Sequence, residues 1–345
     1  MVVGKESLAT KITNRVSSCT ELFHSPDRIE FVSFSAAGHR ETHPVKSGAF
    51  RHYLRRLAYG MTGKVPSASA INDTINMCAA VAFDGATNPV FLRVGEADGC
   101  LWLDLGDPDW VAIRVSSAGW TPVHNPPIRF RRPPGALELP MPRSGGTVGE
   151  LRSFVNVESD EDFCLLLCWL CAAFRPCGPF PVLTLHGEQG SAKSTLSRVL
   201  RELVDPYKAP IRSAPHEEED LLIAANNSHI VCFDNMSHIE PWLSDALCRM
   251  ATGGGMSKRE LYTDMEEVII ECVRPVILNG IEDLASRGDL ADRSIVLYLP
   301  AITAEARQQE RDLWSAFQVA RPRILGSLLD VLAGALGNIE NGNTT

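Results

Sequence analysis

Residues 181–200 read PVLTLHGEQGSAKSTLSRVL: an apolar run closed by glycine, a short turn with a second glycine, then a lysine and two hydroxyls opening an amphipathic stretch. That order predicts a strand, a tight turn and a helix, because glycine enters the backbone conformations of such turns with least steric cost. The junction aims backbone N–H groups and a helix N-terminus at one point, where negative charge is favoured. A nucleoside triphosphate requires that field, a cation beside its β- and γ-phosphates, and a hydroxyl for Mg2+. Lys193 and Ser194 stand where those groups are needed. Gly187, Glu188, Gln189, Gly190, Ser191, Ala192, Lys193, Ser194 and Thr195 are therefore expected to bind ATP, with Ser194 on the metal. The stretch departs from G-x-x-x-x-G-K-[ST] at Ala192, whose methyl group restricts the backbone where the pattern has glycine.

Hydrolysis of a triphosphate also needs a carboxylate on the metal side. The apolar run 229–233 ends at Asp234, the expected second Mg2+ residue, and Asn235 follows it. An amide can orient an attacking water but cannot accept its proton, which leaves Glu240 as the fallback base. The next apolar run, 274–278, ends at Asn279, either a turn former or a polar group facing the phosphates. Arg293 lies in DLADRSIVLYLP, between a helix and a strand predicted over 295–299. It either makes a surface ion pair or projects toward a neighbouring subunit's nucleotide.

The 345 residues exceed the usual single-domain size, and 45% hydrophobic content suffices for two or three compact units. Residues 1–28 lack a clear period and are expected as a tail. An α+β accessory domain is expected over 29–132, with helices at 48–60 and 68–80 and strands at 89–94, 100–105, 110–115 and 128–132. A Pro/Gly-rich linker follows over 133–146, then a helical collar over 147–178, the ATPase domain over 179–300, and C-terminal helices and tail over 301–345, two helices filling 301–336. No apolar run reaches the roughly 18 residues that cross a bilayer, and residues 1–20 do not read as a signal peptide. The expected location is cytoplasmic, with no membrane partner. Ten cysteines are expected as reduced thiols, and Cys164, Cys168 and Cys171, at helical spacing, as small core hydrophobes. A net charge of −9 excludes a protein that coats nucleic acid by general attraction, so any DNA contact has to be local. Arg51, Arg55 and Arg56 with His52 and Tyr53, and Arg129-Phe130-Arg131-Arg132, are either such contacts or solvated faces.

Taken in order, the phosphate loop, IVCFDN, RMATGGGMSKRELY, RPVILNG and LADRSIVLYLP resemble superfamily 3 helicases, AAA+ ATPases of the viral and mobile-element primase-helicase type, over residues 181–300. The resemblance implies an α/β fold with a parallel sheet flanked by helices, ATP and Mg2+ as ligands, and a homo-oligomeric ring, expected to be a hexamer. It also implies single-stranded DNA as substrate, with a primase or other replication partner. Lys193, Asp234, Asn235, Asn279 and Arg293 would then be catalytic, with Asn279 as sensor and Arg293 acting across the ring interface. Lys258, Arg259 and Tyr262 would grip DNA from a pore hairpin, although Glu260, Asp264, Glu266 and Glu267 crowd the same stretch. The expected function is a replication motor of a phage, plasmid or integrated element. The alternatives are a nucleotide-dependent switch or scaffold with weak hydrolysis, and a protein-remodelling ATPase.

Overall fold

The computed structural model describes residues 6–254, 256–259, 267–270, 272–281, 284, 287–305 and 307–340. It divides into two compact units, residues 1–91 with 124–132, and residues 92–123 with 133–345.

The first unit opens on a helix, α1 (Leu8–Cys19), and a strand, β1 (Thr20–His24), where the sequence suggested a loose tail. The Ser7 hydroxyl accepts from the Thr10 amide and caps α1, and Ile12 and Val16, one turn apart, are fully buried. Leu8, Ile12 and Val16 recur at one residue per turn, a stripe too thin to read as periodicity. β2 (Glu30–Ala36) and β3 (His39–Pro44) pair antiparallel. They are joined by Ala37 and Gly38, both at positive φ, the hairpin turn that matches strand twist. α2 (Gly48–Thr62) and α3 (Ala68–Phe83), each capped by a serine hydroxyl, fall where the sequence predicts them. β4 (Ala86–Thr87) completes a sheet of order β3-β2-β1-β4. The strand expected over 128–132 does not form; Phe130 makes an isolated bridge to Phe91.

The second unit begins with the antiparallel meander β5 (Val94–Ala97), β6 (Cys100–Asp104), β7 (Ala112–Ser116) and β8 (Gly119–Val123). The run 133–146 is irregular but anchored: Leu139 is buried and its amide donates to Leu105 O at 2.7 Å. The expected collar is a 3-10 turn, Val148–Phe154, and a helix, α4 (Asp160–Ala172), joined by extended residues. α4 buries Phe163, Leu166, Trp169 and Leu170, whereas Cys164 and Cys168 are exposed and Cys171 is half-buried. These thiols therefore do not fill the core as expected. Next come β9 (Val182–His186), α5 (Lys193–Val204), α6 (Glu218–Asn227), β10 (Val231–Met236) and α7 (Pro241–Thr252). They are followed by the hairpin β11 (Met256–Arg259) and β12 (Glu267–Ile270), then β13 (Val276–Gly280), α8 (Gly288–Ala291) and β14 (Ser294–Tyr298).

A single helix, α9 (Glu310–Glu340), replaces the two expected C-terminal helices. Pro322 withholds one N–H inside it, yet the helix runs through, because Phe317, Ala320, Ile324, Leu325 and Leu328 are buried on both sides of the proline. The meander belongs with this unit and not with the N-terminal domain. Leu103, Ile113 and Val115 share one core with Leu183, Leu200, Ile324 and Leu328, whereas the Pro/Gly run alone places the boundary after them. β10, β13, β9 and β14 form a parallel sheet in that order, the α/β core of the unit. Among the described residues no helix is long and apolar enough to cross a membrane.

A buried carboxylate ties the meander to the parallel sheet. Asp205, just past α5, accepts from Arg93 Nε at 3.2 Å and from the His229 and Ile230 amides at 2.8 and 3.1 Å, with Arg201 Nη2 at 3.7 Å. Burial by itself would raise its pKa, but the Arg93 and Arg201 guanidiniums outweigh burial and hold it below the usual carboxylate range. Asp205→Ala strands two buried cations and two amides, so a loss of about 3–5 kcal/mol in urea unfolding is expected. Beside it, burial pushes His229 down to about 4. Between the unfolded value of about 6.5 and that folded value the unfolded chain binds the extra proton. Stability therefore falls as pH falls through this window, by about 3 kcal/mol from this group. His229→Gln should flatten that slope in unfolding curves taken from pH 7 to 4.

Candidate functional site

The β9–α5 junction is fixed from both sides. Val182, Leu183, Thr184 and Leu185 are fully buried, and α5 buries Leu196, Val199, Leu200, Leu203 and Val204 along one face. Gly187 is required by close approach, since a Cβ there would stand 2.4 Å from Leu299 O. Gly190 has φ +84°, and Ala192, at φ 63° and ψ 27°, occupies the left-handed region as the residue preceding α5. The methyl group at the pattern's glycine position is thus accommodated at a cost in backbone strain. Lys193 Nζ folds back over the turn and donates to Gly187 O at 2.7 Å, Glu188 O at 2.9 Å and Ser191 Oγ at 3.3 Å. Partial burial lowers its pKa from the usual lysine value, with Asp234 opposing the shift.

Parallel order brings the other strand ends to the same edge. β13 lies between β9 and β10, so Asn279 sits between the turn and Asp234. Ser194 Oγ donates to Asp234 Oδ1 at 2.9 Å. Asn279 is 1% exposed, and its amide is engaged at both ends: Oδ1 accepts from the Asn235 amide at 2.9 Å and Nδ2 donates to Ser197 Oγ at 3.1 Å. Asn235, at φ 56°, is exposed beside it. A cavity of about 420 Å3 is lined by Gln189 to Thr195, Asp234, Asn235, Asn279, Gly280 and Ile281. Its hydroxyl and carboxylate are hard oxygen donors, which fit Mg2+, and the ammonium and the α5 N-terminus fit an anion.

The remaining candidates are placed apart. Arg293 precedes β14, whose Ser294 pairs with Val182 and whose Tyr298 pairs with His186. It therefore lies at the far end of the sheet from the turn, about 16 Å along the strands, and its Nη1 donates to Asp289 O at 2.7 Å. Glu240 is exposed, with its Oε1 2.7 Å from His238 Nε2, and does not line this cavity. Lys258 and Arg259 are in β11, in register with Val268 and Glu267 of β12. Tyr262, with Glu260, Asp264 and Glu266, lies outside the described residues.

Three residues were missed in the sequence. Asn156 Nδ2 donates to Ser191 O at 3.0 Å and to Pro300 O at 2.7 Å, tying the turn to the end of β14. Arg198 and Arg307 line a second cavity of about 570 Å3 with Phe154, Val155, Ile302 and Leu313, and this cavity shares Ala192, Ser194 and Thr195 with the first. No local motif marks these positions, because they converge from segments far apart in the chain.

The family model of actinomycete integrative conjugative element replication proteins matches residues 148–339. Comparison with curated proteins gives no match. Among solved structures, the A form apo structure of the NrS-1 C-terminal region has a TM-score of 0.51 at 13% identity, over 92% of this chain and 68% of that one. An apo structure of NrS-1 residues 305–718 gives 0.49 at 12% identity, over 97% and 76%. JCV helicase with a bound acetamide compound gives 0.35 at 11%, over 54% and 53%. At 13% identity the first of these is a likeness of fold.

The strain at Ala192 generates a test. A left-handed non-glycine residue costs roughly 1–2 kcal/mol, part of which glycine returns through the entropy of the unfolded chain. Ala192→Gly is expected to raise the thermal midpoint, by the equivalent of about 0.5–1 kcal/mol, and Ala192→Val to lower it.

Proposed function

Because the chain belongs to the family of replication proteins of actinomycete integrative conjugative elements, we propose that it is an ATP-driven DNA motor of that replication, an AAA+ ATPase of superfamily 3 type acting as a ring in the cytoplasm. The observation that supports this reading is the convergence of the Lys193 ammonium, the α5 N-terminus and the Ser194–Asp234 pair on one cavity. Together they supply the cation, the oriented amides and the metal-side oxygens of phosphoryl transfer to water.

In this reading the triphosphate lies across the turn, and the base and sugar enter the second cavity between Phe154, Val155, Ile302 and Leu313. Lys193 exchanges its carbonyl partners for phosphate oxygens. Ser194 and Asp234 would hold Mg2+, which would supply neutralisation of charge on the β- and γ-phosphates. Asn279 keeps the Asn235 backbone in place, and the Asn235 side chain orients the attacking water. Arg293, remote from its own turn, serves the nucleotide of a neighbouring copy, and the β11–β12 hairpin with Lys258 and Arg259 contacts single-stranded DNA. Residues 1–91 with 124–132 would act as the accessory domain and residues 92–123 with 133–345 as the motor unit, with 147–178 as its collar and 301–345 as its C-terminal support. One observation favours a second reading, a nucleotide-held switch with slow turnover: Asn235, which cannot take a proton, stands beside Asp234 at the cavity.

ATPase assays with and without single-stranded DNA separate these readings. Lys193→Ala should abolish Mg2+-dependent ATP binding and turnover. Arg293→Ala should keep binding while turnover drops by roughly 10^3-fold. An unchanged rate in Arg293→Ala ends the shared-site part of the proposal, tight binding without turnover in the parent selects the switch, and no nucleotide affinity in the parent ends both.

A further inference from the structure

We propose that the exposed face of α2 is a docking surface for the phosphate backbone of double-stranded DNA, a site separate from the nucleotide cavity and from the β11–β12 hairpin. The inference does not depend on ATP hydrolysis. The first unit holds 13 basic and 7 acidic residues, a net charge of +6, whereas the second holds 20 and 35, a net charge of −15. An acidic body of that size repels a polyanion, so attraction for DNA has to reside in the first unit.

Within that unit the charge is concentrated further. Between Glu41 and Asp73 there is no acidic residue, while Lys46, Arg51, Arg55, Arg56 and Lys64 all fall in the interval. Folding gathers part of this run into a stripe. His52, Arg55, Arg56 and Tyr59 recur at i, i+3, i+4 and i+7 of α2, and all four are exposed, whereas Phe50, Leu54 and Ala58 of the same helix are buried. In the same unit Lys46 is paired with Glu30 and Arg129 with Glu21, whereas Arg55 and Arg56 stand on the exposed face of α2. The positive surface continues onto α1. Lys11 and Arg15 are exposed there, and both Arg15 and Arg56 lie close enough to Tyr53 to act on its phenol.

The shape of the stripe selects duplex over single-stranded DNA. Strand-tracking sites alternate cations with aromatic platforms on which successive bases stack. Here Tyr59, 58% exposed, is the one tyrosine on the exposed face of α2, because the other, Tyr53, is stacked on Phe34 with ring centroids 4.1 Å apart. A 15-residue helix spans about 22 Å, enough to lay two guanidiniums, an imidazole and a phenol hydroxyl along the phosphates of a duplex.

The test is fluorescence anisotropy of the full chain without nucleotide, using a labelled duplex of about 20 base pairs and a single strand of the same length over a salt series. Arg55→Ala with Arg56→Ala is expected to weaken duplex binding about tenfold or more and to make the plot of log K against log salt shallower by about two. Arg143→Ala with Lys208→Ala, which removes the same charge from the second unit, should leave duplex binding near the parent. Arg55→Glu with Arg56→Glu should deepen the loss while the thermal midpoint stays that of the parent, which separates lost contact from lost fold. Undiminished duplex affinity in the Arg55 and Arg56 variants overturns the proposal. So does an equal loss in the Arg143 and Lys208 control, or a loss confined to the single strand.

Discussion

A lysine ammonium held by carbonyl oxygens at a strand-to-helix turn is the interaction on which the site rests. The turn can hold that geometry because neither flank can yield. β9 is buried on both faces and bonded to β13 and β14, and α5 is locked by five apolar side chains. Leu299 leaves no room for a side chain at residue 187, and Asn156 holds the Ser191 carbonyl. The left-handed backbone of Ala192 is sustained by this surround, which over-determines the turn against the strain of one residue. Chemistry at the cavity thus depends on packing several residues away from it.

The parts of the site that could be read in the sequence are those encoded locally. Glycine, lysine and hydroxyl spacing in one stretch defines the turn, and an apolar run ending in a polar residue marks Asp234 and Asn279. The strands sit two or three residues further along than expected, so that both residues lie inside β10 and β13 instead of just past them. That shift explains why Asn279 is buried and bonded to the Asn235 amide and Ser197 instead of standing free at a turn. Asn156, Arg198 and Arg307 are illegible for the opposite reason, since their role exists only once segments far apart in the chain have met. Of the meander, the strands expected over 100–105 and 110–115 match β6 and β7, whereas β5 starts where the run 89–94 ends, β8 was not expected, and the whole meander packs in the second unit. Its alternation reports that one face is buried, not which core buries it.

Segregation of charge gives the two units opposite electrostatic character under one net charge. The −9 of the whole chain conceals +6 and −15, so an argument from total charge holds for the second unit and fails for the first. Long-range attraction for a polyanion and the chemistry of a triphosphate are both electrostatic, but they act on different scales. The first needs many exposed cations and is screened within a Debye length of about 8–10 Å. The second needs one cation and a few fixed dipoles in a partly enclosed cavity, where screening is weaker.

The geometry of Arg293 bears on assembly. Because β14 runs parallel to β9, its start and the phosphate turn lie at opposite ends of the sheet, and no side-chain rotation spans about five residues of strand. If Arg293 acts on a nucleotide at all, the nucleotide belongs to another copy. β14 is also the edge of the sheet, and it exposes Val296 and Tyr298 to roughly half of their surface, 46% and 49%. Open edge strands with apolar side chains are commonly covered, and a neighbouring copy that covered this one would meet Arg293 at its base. The ring we propose therefore answers two features with one contact, the unprotected edge and the arginine placed away from its own turn.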